Sequence, residues 1–327
     1  MLLPFFYGFR PLIYYPVSLL LLVVQIYFFV STMTEQKVAQ YQRQNILEKP
    51  LFSKETSFVY GKWIQSNSKD YPGSHHRFHD LARGGSDTYR LLLTSLAIQD
   101  ASFRRNIASA ETSANTVMVE DWKKDWQNLM QIESNMPIFD LGFKSGDFSW
   151  KNLFSYQFLH AGFLHFLMNA FFFLLLAPLV EAAMGSVIFL FAYLFSGAFA
   201  AVFYFFLHGN SMTPLVGASG SVSFMLAFIC IYLFRQKIHY FYWLLPKKGY
   251  YGFLKLSPLW ALAIWLVTDL AAELSATTFA SVAHSAHLGG MAVGVVLGTI
   301  YFHLDRVRGK QDFLLRRETS AKSVFTN

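Results

Sequence analysis

The sequence predicts an all-α integral membrane protein: six mostly apolar stretches, each about as long as a bilayer crossing needs, are separated by short polar loops and one long polar segment. Composition agrees. Of 327 residues, 54% are hydrophobic and only 14% charged, and the mean hydropathy is positive (+0.33), which is more apolar surface than a soluble core of this length requires. Aromatics reach 18%, with 35 Phe, as suits lipid-facing helices and amphipathic rings at the headgroup level. The formal charge of +7 is concentrated in short loops and in the C-terminal tail, where Lys and Arg orient a membrane protein, and no nucleic-acid signature accompanies it. Cys230, the single cysteine, lies in an apolar run. It excludes an internal disulfide and reads as a small buried hydrophobe.

The expected spans are about 12–31, 153–179, 186–207, 217–234, 257–276 and 282–302. The first is longer than a signal-peptide core and no small-x-small cleavage site follows it, so it reads as a retained anchor. After it come some 115 polar residues of mixed charge, 32–146, expected to form an extramembrane domain. Trp122, Trp126, Leu129 and Met130 recur there at helical spacing, and Ser86-Asp87 is a cap for a helix through Leu91 to Leu96. The run His75-His76-Arg77-Phe78-His79-Asp80 holds metal-ligand residue types, but its Ser, Gly and Pro surroundings read as a solvated loop.

The loop after the fourth span carries Arg235, Lys237, Lys247, Lys248 and Lys255 with no acid, which makes it cytoplasmic by the positive-inside rule. The tail, with Arg306, Arg308, Lys310, Arg316, Arg317 and Lys322, belongs on the same side, as six spans with both termini inside require. Tyr240, Tyr242, Trp243, Tyr250 and Tyr251 beside the lysines read as an interfacial belt. The expected organisation is a tail and first span (1–31), an outward-facing insertion (32–146), a core of spans two to six (147–302) and a basic cytoplasmic tail (303–327).

Polar side chains inside spans are costly and are therefore functional candidates. Gly217-Ala218-Ser219-Gly220 opens the fourth span, so Ser219 sits at a helix N-terminus, where unsatisfied N–H groups and the positive end of the dipole favour a developing oxyanion. A helix cap among small packing residues is the alternative reading of the same box. In the sixth span His284 and His287 precede Gly290, Gly294 and Gly298, a ribbon at four-residue spacing that lets two helices pack backbone-close. His287 falls on or beside that face and is the expected base, while His284 is either a supporting or an exposed interfacial residue. His165 and Asn169 share a helix face in the second span, with His160 just before them; they are either an interhelical hydrogen-bonding pair or donors to an oxyanion. Asp269 and Glu273 lie one turn apart in the fifth span, and their place near its outer end favours solvated or helix-pairing roles over a place in the catalytic set.

Together and in this order, His165-x3-Asn169, Gly217-Ala218-Ser219-Gly220 and Ala286-His287-x2-Gly290 resemble the rhomboid family of intramembrane serine proteases, over residues 150–302. Trp150-Lys151 before the second span, and Glu181 with Gly185 at its end, are similar to family features as well. The resemblance implies a six-span bundle with a Ser219–His287 dyad that hydrolyses peptide bonds through an acyl-enzyme, without cofactor or metal. It implies that the Ser219 N–H, His165 and Asn169 hold the oxyanion, that Gly217 admits the substrate and that His160 is supporting. The implied substrates are single-span membrane proteins, cut near their outer boundary in the lipid bilayer. In a bacterium the site would be the inner membrane.

Three departures stand out. Ser223 occupies the position one turn after the serine where the family often has an aromatic to stack on the histidine. Ala182, Ala183 and Met184 replace a common arginine between Glu181 and Gly185, and the long insertion after the first span is absent from the common bacterial form. The competing readings are a catalytically inactive relative that binds transmembrane helices, a zinc protease using His160, His165, His284 and His287 without a His-Glu-x-x-His box, and a transporter, for which no internal repeat is found.

Overall fold

The computed structural model describes residues 2–5, 12–67, 87–107, 116–209, 211–243, 251–275 and 283–307. The histidine-rich run at 75–80, Ser86 and the basic residues beyond 307 lie outside them. Two compact units form: residues 30–156 with 208–216, and residues 1–29 with 157–207 and 217–327. The first strand, β1 (Leu2–Phe5), is followed by a long helix, α1 (Pro16–Leu47). Its N-terminal half is apolar and its C-terminal half polar, and no Gly or Pro interrupts it after Pro16, so the boundary expected at 31/32 falls inside one continuous helix.

In the polar unit follow α2 (Pro50–Ser66), α3 (Asp87–Gln99), α4 (Ala101–Asn106), α5 (Thr116–Asn135), α6 (Pro137–Leu141) and α7 (Asn152–Ser155). The periodic Trp122, Trp126 and Leu129 of α5 are buried with Phe52, Leu93 and Phe103 in one apolar core. Glu133, 1% exposed, receives Arg43 and Arg104 at 2.8 Å each, so the cost of burying its charge is offset from two sides. Asp100 caps α4 by accepting the Ser102 and Phe103 N–H groups at 2.8 and 3.0 Å. Residues 211–215 are strapped onto this unit by paired Phe143–Leu215 backbone bonds (3.0 and 2.7 Å) and by the Met212 N–H on the Gln99 carbonyl (2.7 Å).

The apolar unit contains α8 (Phe163–Met184), α9 (Ser186–His208), α10 (Ser219–Tyr232), the strands β2 (Ile238–Trp243) and β3 (Tyr251–Leu256), then α11 (Leu259–Ser275) and α12 (His284–Val307). By length and composition four helices among the described residues can cross a membrane, in α1, α8, α9 and α12, while apolar α10 is shorter. The second span was expected from 153; instead 152–158 forms short turns and the long helix starts at Phe163, which leaves His160 just ahead of it.

The all-α expectation misses a three-stranded antiparallel sheet in which β1 pairs with β2 and β2 with β3. Aromatic and β-branched residues at 238–243 favour extended backbone. Tyr240 accordingly leaves the expected interfacial belt. It is 1% exposed, its hydroxyl donates to the Ser257 carbonyl at 3.0 Å and accepts the Ala261 N–H at 3.3 Å, tying the sheet to the start of α11.

Glu181, where the nearby arginine is missing, is buried and braces three helices. Its carboxylate accepts the Val17 and Ser18 N–H groups (3.1 and 2.7 Å), the Ser18 hydroxyl (2.7 Å) and the Ser186 hydroxyl (2.6 Å). An acid at the end of α8 thus caps the otherwise unpaired first turn of α1 and faces the start of α9, where the positive ends of two helix dipoles favour it.

Helix α10 is buried almost throughout, and α12 lies directly on its backbone. A Cβ built on Gly290 would collide with the Gly220 carbonyl, one on Gly294 with the Phe224 carbonyl, and one on Gly298 would stand 2.8 Å from the Phe228 carbonyl. Because both numbers rise together by four, the two helices run parallel with their N-termini at the same end. Gly294→Val is expected to force the pair apart, an overpacking cost of about 1–3 kcal/mol or more, read as a clear fall in thermal unfolding temperature in detergent. An unchanged melting curve would contradict this packing.

Candidate active site

The parallel register decides which residues meet. The Gly290–Gly220 contact lies near the start of both helices, so the start of α12, with His287, and the start of α10, with Ser219, lie at the same end of the pair. Ser219 is the first residue of α10 and is half-buried, with Ala218 at the cap. Its own N–H and those after it are therefore the unpaired donors of a helix start. The turn is locked from behind. Ser221 Oγ, fully buried, lies 2.8 Å from Gln157 Oε1 and 3.0 Å from the Tyr193 carbonyl, while Gln157 Nε2 donates to the Leu194 carbonyl at 3.2 Å.

Gly217 has φ +119°, a conformation that L side chains rarely adopt. A side chain would also displace His165: a Cβ would stand 2.8 Å from His165 Cε1 and 2.9 Å from its Nε2, with Ser219 Oγ 3.8 Å from the same point. The Nε2 edge of His165 therefore faces the serine turn. Its Nδ1 accepts the Ala161 N–H at 3.4 Å, so the neutral ring carries its proton on Nε2, as a donor. His160, 3% exposed, sets its ring edge-to-face against His165 (5.4 Å, 72°) and Phe166 (5.3 Å, 84°), which fixes the His165 ring. Asn169 is buried one turn below. One of its amide hydrogens goes to the His165 carbonyl of the same helix (2.9 Å), leaving the second for another acceptor.

His287, 8% exposed, is held by α11. Asp269 places both carboxylate oxygens 3.1 Å from His287 Nδ1, and its Oδ1 is 2.7 Å from His284 Nδ1. Trp265, one turn earlier, stands edge-to-face to His287 at 6.5 Å and 70°. Glu273, one turn later, accepts the Ser285 N–H at 2.9 Å and so caps α12. Ser223, at the position open to an aromatic, is buried on α10; the described rings that flank His287 are Trp265 and, edge-to-face at 5.8 Å and 83°, His284.

Sequence reasoning expected solvated or helix-pairing roles for Asp269 and Glu273 and left both out of the catalytic set; both do pair α11 with α12, and Trp265 was not considered. The signal was present: 265, 269 and 273 form one i, i+4 stripe facing the first turn of α12. Asp269, His284 and His287 also bring one ligand atom each within 4.8 Å of one another, the number of protein ligands in an open zinc site, although here the three satisfy one another by hydrogen bonds. What the arrangement offers chemically is a hydroxyl at a helix N-terminus, an imidazole donor beside that turn and a second imidazole at the start of the parallel helix.

The family model described as Rhomboid domain matches residues 147–304. No curated protein matches the chain.

Gly217→Ala combines an unfavourable φ with displacement of His165. It is expected to cost about 1–3 kcal/mol of stability and to reduce labelling of Ser219 by a serine-directed probe at least tenfold. Labelling at the wild-type rate would contradict the tight seating of His165 on this turn.

Proposed function

We propose, for a chain that belongs to the rhomboid family through its domain at 147–304, that it is an intramembrane serine endopeptidase acting through Ser219 and His287. The observation that carries this reading is the parallel packing of α10 on α12 through Gly290, Gly294 and Gly298, which puts the serine and the histidine at neighbouring helix starts. His287 Nε2 takes the Ser219 proton as Oγ bonds to the scissile carbonyl carbon, and the carbonyl π pair moves onto oxygen. The oxyanion is met by the Ser219 N–H, His165 Nε2–H and the remaining Asn169 donor. On collapse the C–N bond breaks and His287 returns the proton to the leaving amine; water then repeats the steps on the acyl-enzyme. Gly217 leaves room for the substrate backbone, and His160 supports His165.

In this reading α10 and α11 join the four longer helices in a six-span bundle, with residues 32–146 as an insertion outside it and 303–327 as a cytoplasmic tail. Fourteen residues of α10 reach about 21 Å, short of a roughly 30 Å hydrocarbon core. A serine at its start is thereby below the outer surface, where a polar pocket can hold water. Pairing of β1 with β2 joins the N-terminal strand to the lysine-bearing hairpin and supports placing both on the cytoplasmic side. Substrates are single-span membrane proteins cut near their outer boundary, and in a bacterium the enzyme resides in the inner membrane.

The test is labelling of the purified protein by a fluorophosphonate, with and without EDTA. Wild type is expected to label in both conditions, Ser219→Ala and His287→Ala not at all, and His165→Ala roughly 100-fold more slowly, the scale of losing one oxyanion donor. An unlabelled, folded wild type would favour an inactive relative that binds transmembrane helices, and EDTA-sensitive activity would favour zinc.

A further inference from the structure

Resting on the Ser219–His287 reading, we infer that Asp269 is a positioning residue that makes the pair a triad. A neutral imidazole carries one proton, and His287 accepts from Ser219 only if that proton is on Nδ1 and the Nε2 lone pair is free. A carboxylate with both oxygens 3.1 Å from Nδ1 selects that tautomer, since it accepts and cannot donate. Asp269 is only 5% exposed, so it is not a solvated interfacial acid, and its partners are the two imidazoles of α12. When His287 becomes an imidazolium during attack, the adjacent carboxylate balances the new charge and itself stays ionised.

Two further contacts show that this face of α11 is built around the α12 start. Trp265 flanks the His287 ring and Glu273 holds the Ser285 N–H, so three residues one turn apart fix the ring's tilt, its tautomer and the helix end that carries it. Ring support absent at Ser223 is supplied from the neighbouring helix. His284 shares Asp269 Oδ1 at 2.7 Å, which orients the carboxylate without touching the reacting atoms; a carboxylate has acceptor capacity for both rings.

The experiment measures cleavage of a single-span reporter by the full-length protein in liposomes, with thermal unfolding alongside. Asp269→Asn is expected to lower kcat at least tenfold with KM within twofold and an unfolding temperature close to wild type, because the amide N–H favours the wrong tautomer. Asp269→Glu, which keeps the carboxylate, should recover at least threefold over Asp269→Asn, and His284→Gln, which removes only the ring that orients the carboxylate, should lose less than Asp269→Asn. Asp269→Ser, smaller and uncharged, replaces the amide if that variant misfolds, and the same tenfold fall is expected of it. Wild-type kcat without the carboxylate would overturn the inference, as would a His284→Gln loss equal to that of Asp269→Asn, which would route the effect through His284. An inactive wild type contradicts the Ser219–His287 reading and this one with it; an active wild type indifferent to Asp269 contradicts this one alone.

Discussion

Everything in the apolar unit depends on the backbone of α12 lying against the backbone of α10. Between helices in lipid there is little hydrophobic drive, because the tails are as apolar as the side chains they would replace, and close van der Waals packing must hold the pair. Gly290, Gly294 and Gly298 permit that approach, and the carbonyls of Gly220, Phe224 and Phe228 occupy the space their side chains would have filled. A contact this close has one register. That register brings the helix starts that carry Ser219 and His287 to the same end, so the proposed chemistry would draw on the same stripe of residues as the packing.

The polar groups of this unit are tied down in a consistent way. Glu181 closes the first turn of α1, Glu273 that of α12, Ser221 and Gln157 link the start of α10 to α9, and Asp269 engages two histidines. An unpaired polar group in an apolar surrounding costs several kcal/mol, so each pairing also fixes the orientation of the helix end that carries it. Three of these four lie within a few residues of Ser219 or His287. Rigidity at the site thus has a source in the need to satisfy buried polar groups.

Much of this was legible in the sequence. Apolar run lengths gave the long helices, the four-residue glycine spacing announced a backbone-close contact, and Ser219 at a helix start followed from the Gly-Ala-Ser-Gly box that opens the fourth apolar run. The periodic tryptophans of α5 formed a core. Less legible were features set by partners distant in sequence. Asp269 reads from its neighbours as a solvated or helix-pairing acid, and which of the two it is shows only when α12 brings two imidazoles to it. Tyr240 reads as a membrane-belt residue until strand pairing turns it inward, and the sheet itself needs the N-terminal strand, more than 230 residues away in the chain. The polar continuation of α1 to Leu47 escaped a reading based on apolar length, since nothing in hydropathy marks where a helix that leaves a membrane stops.

The central claim is that Ser219 and His287, brought together at parallel helix starts, hydrolyse a peptide bond in a membrane-embedded substrate. Its most direct test is co-reconstitution of the full chain with a single-span reporter in liposomes, with both products identified by mass spectrometry. The account predicts a single main cut near the outer end of the reporter helix, present in wild type and absent from Ser219→Ala. Equal cleavage by the Ser219→Ala variant would contradict it.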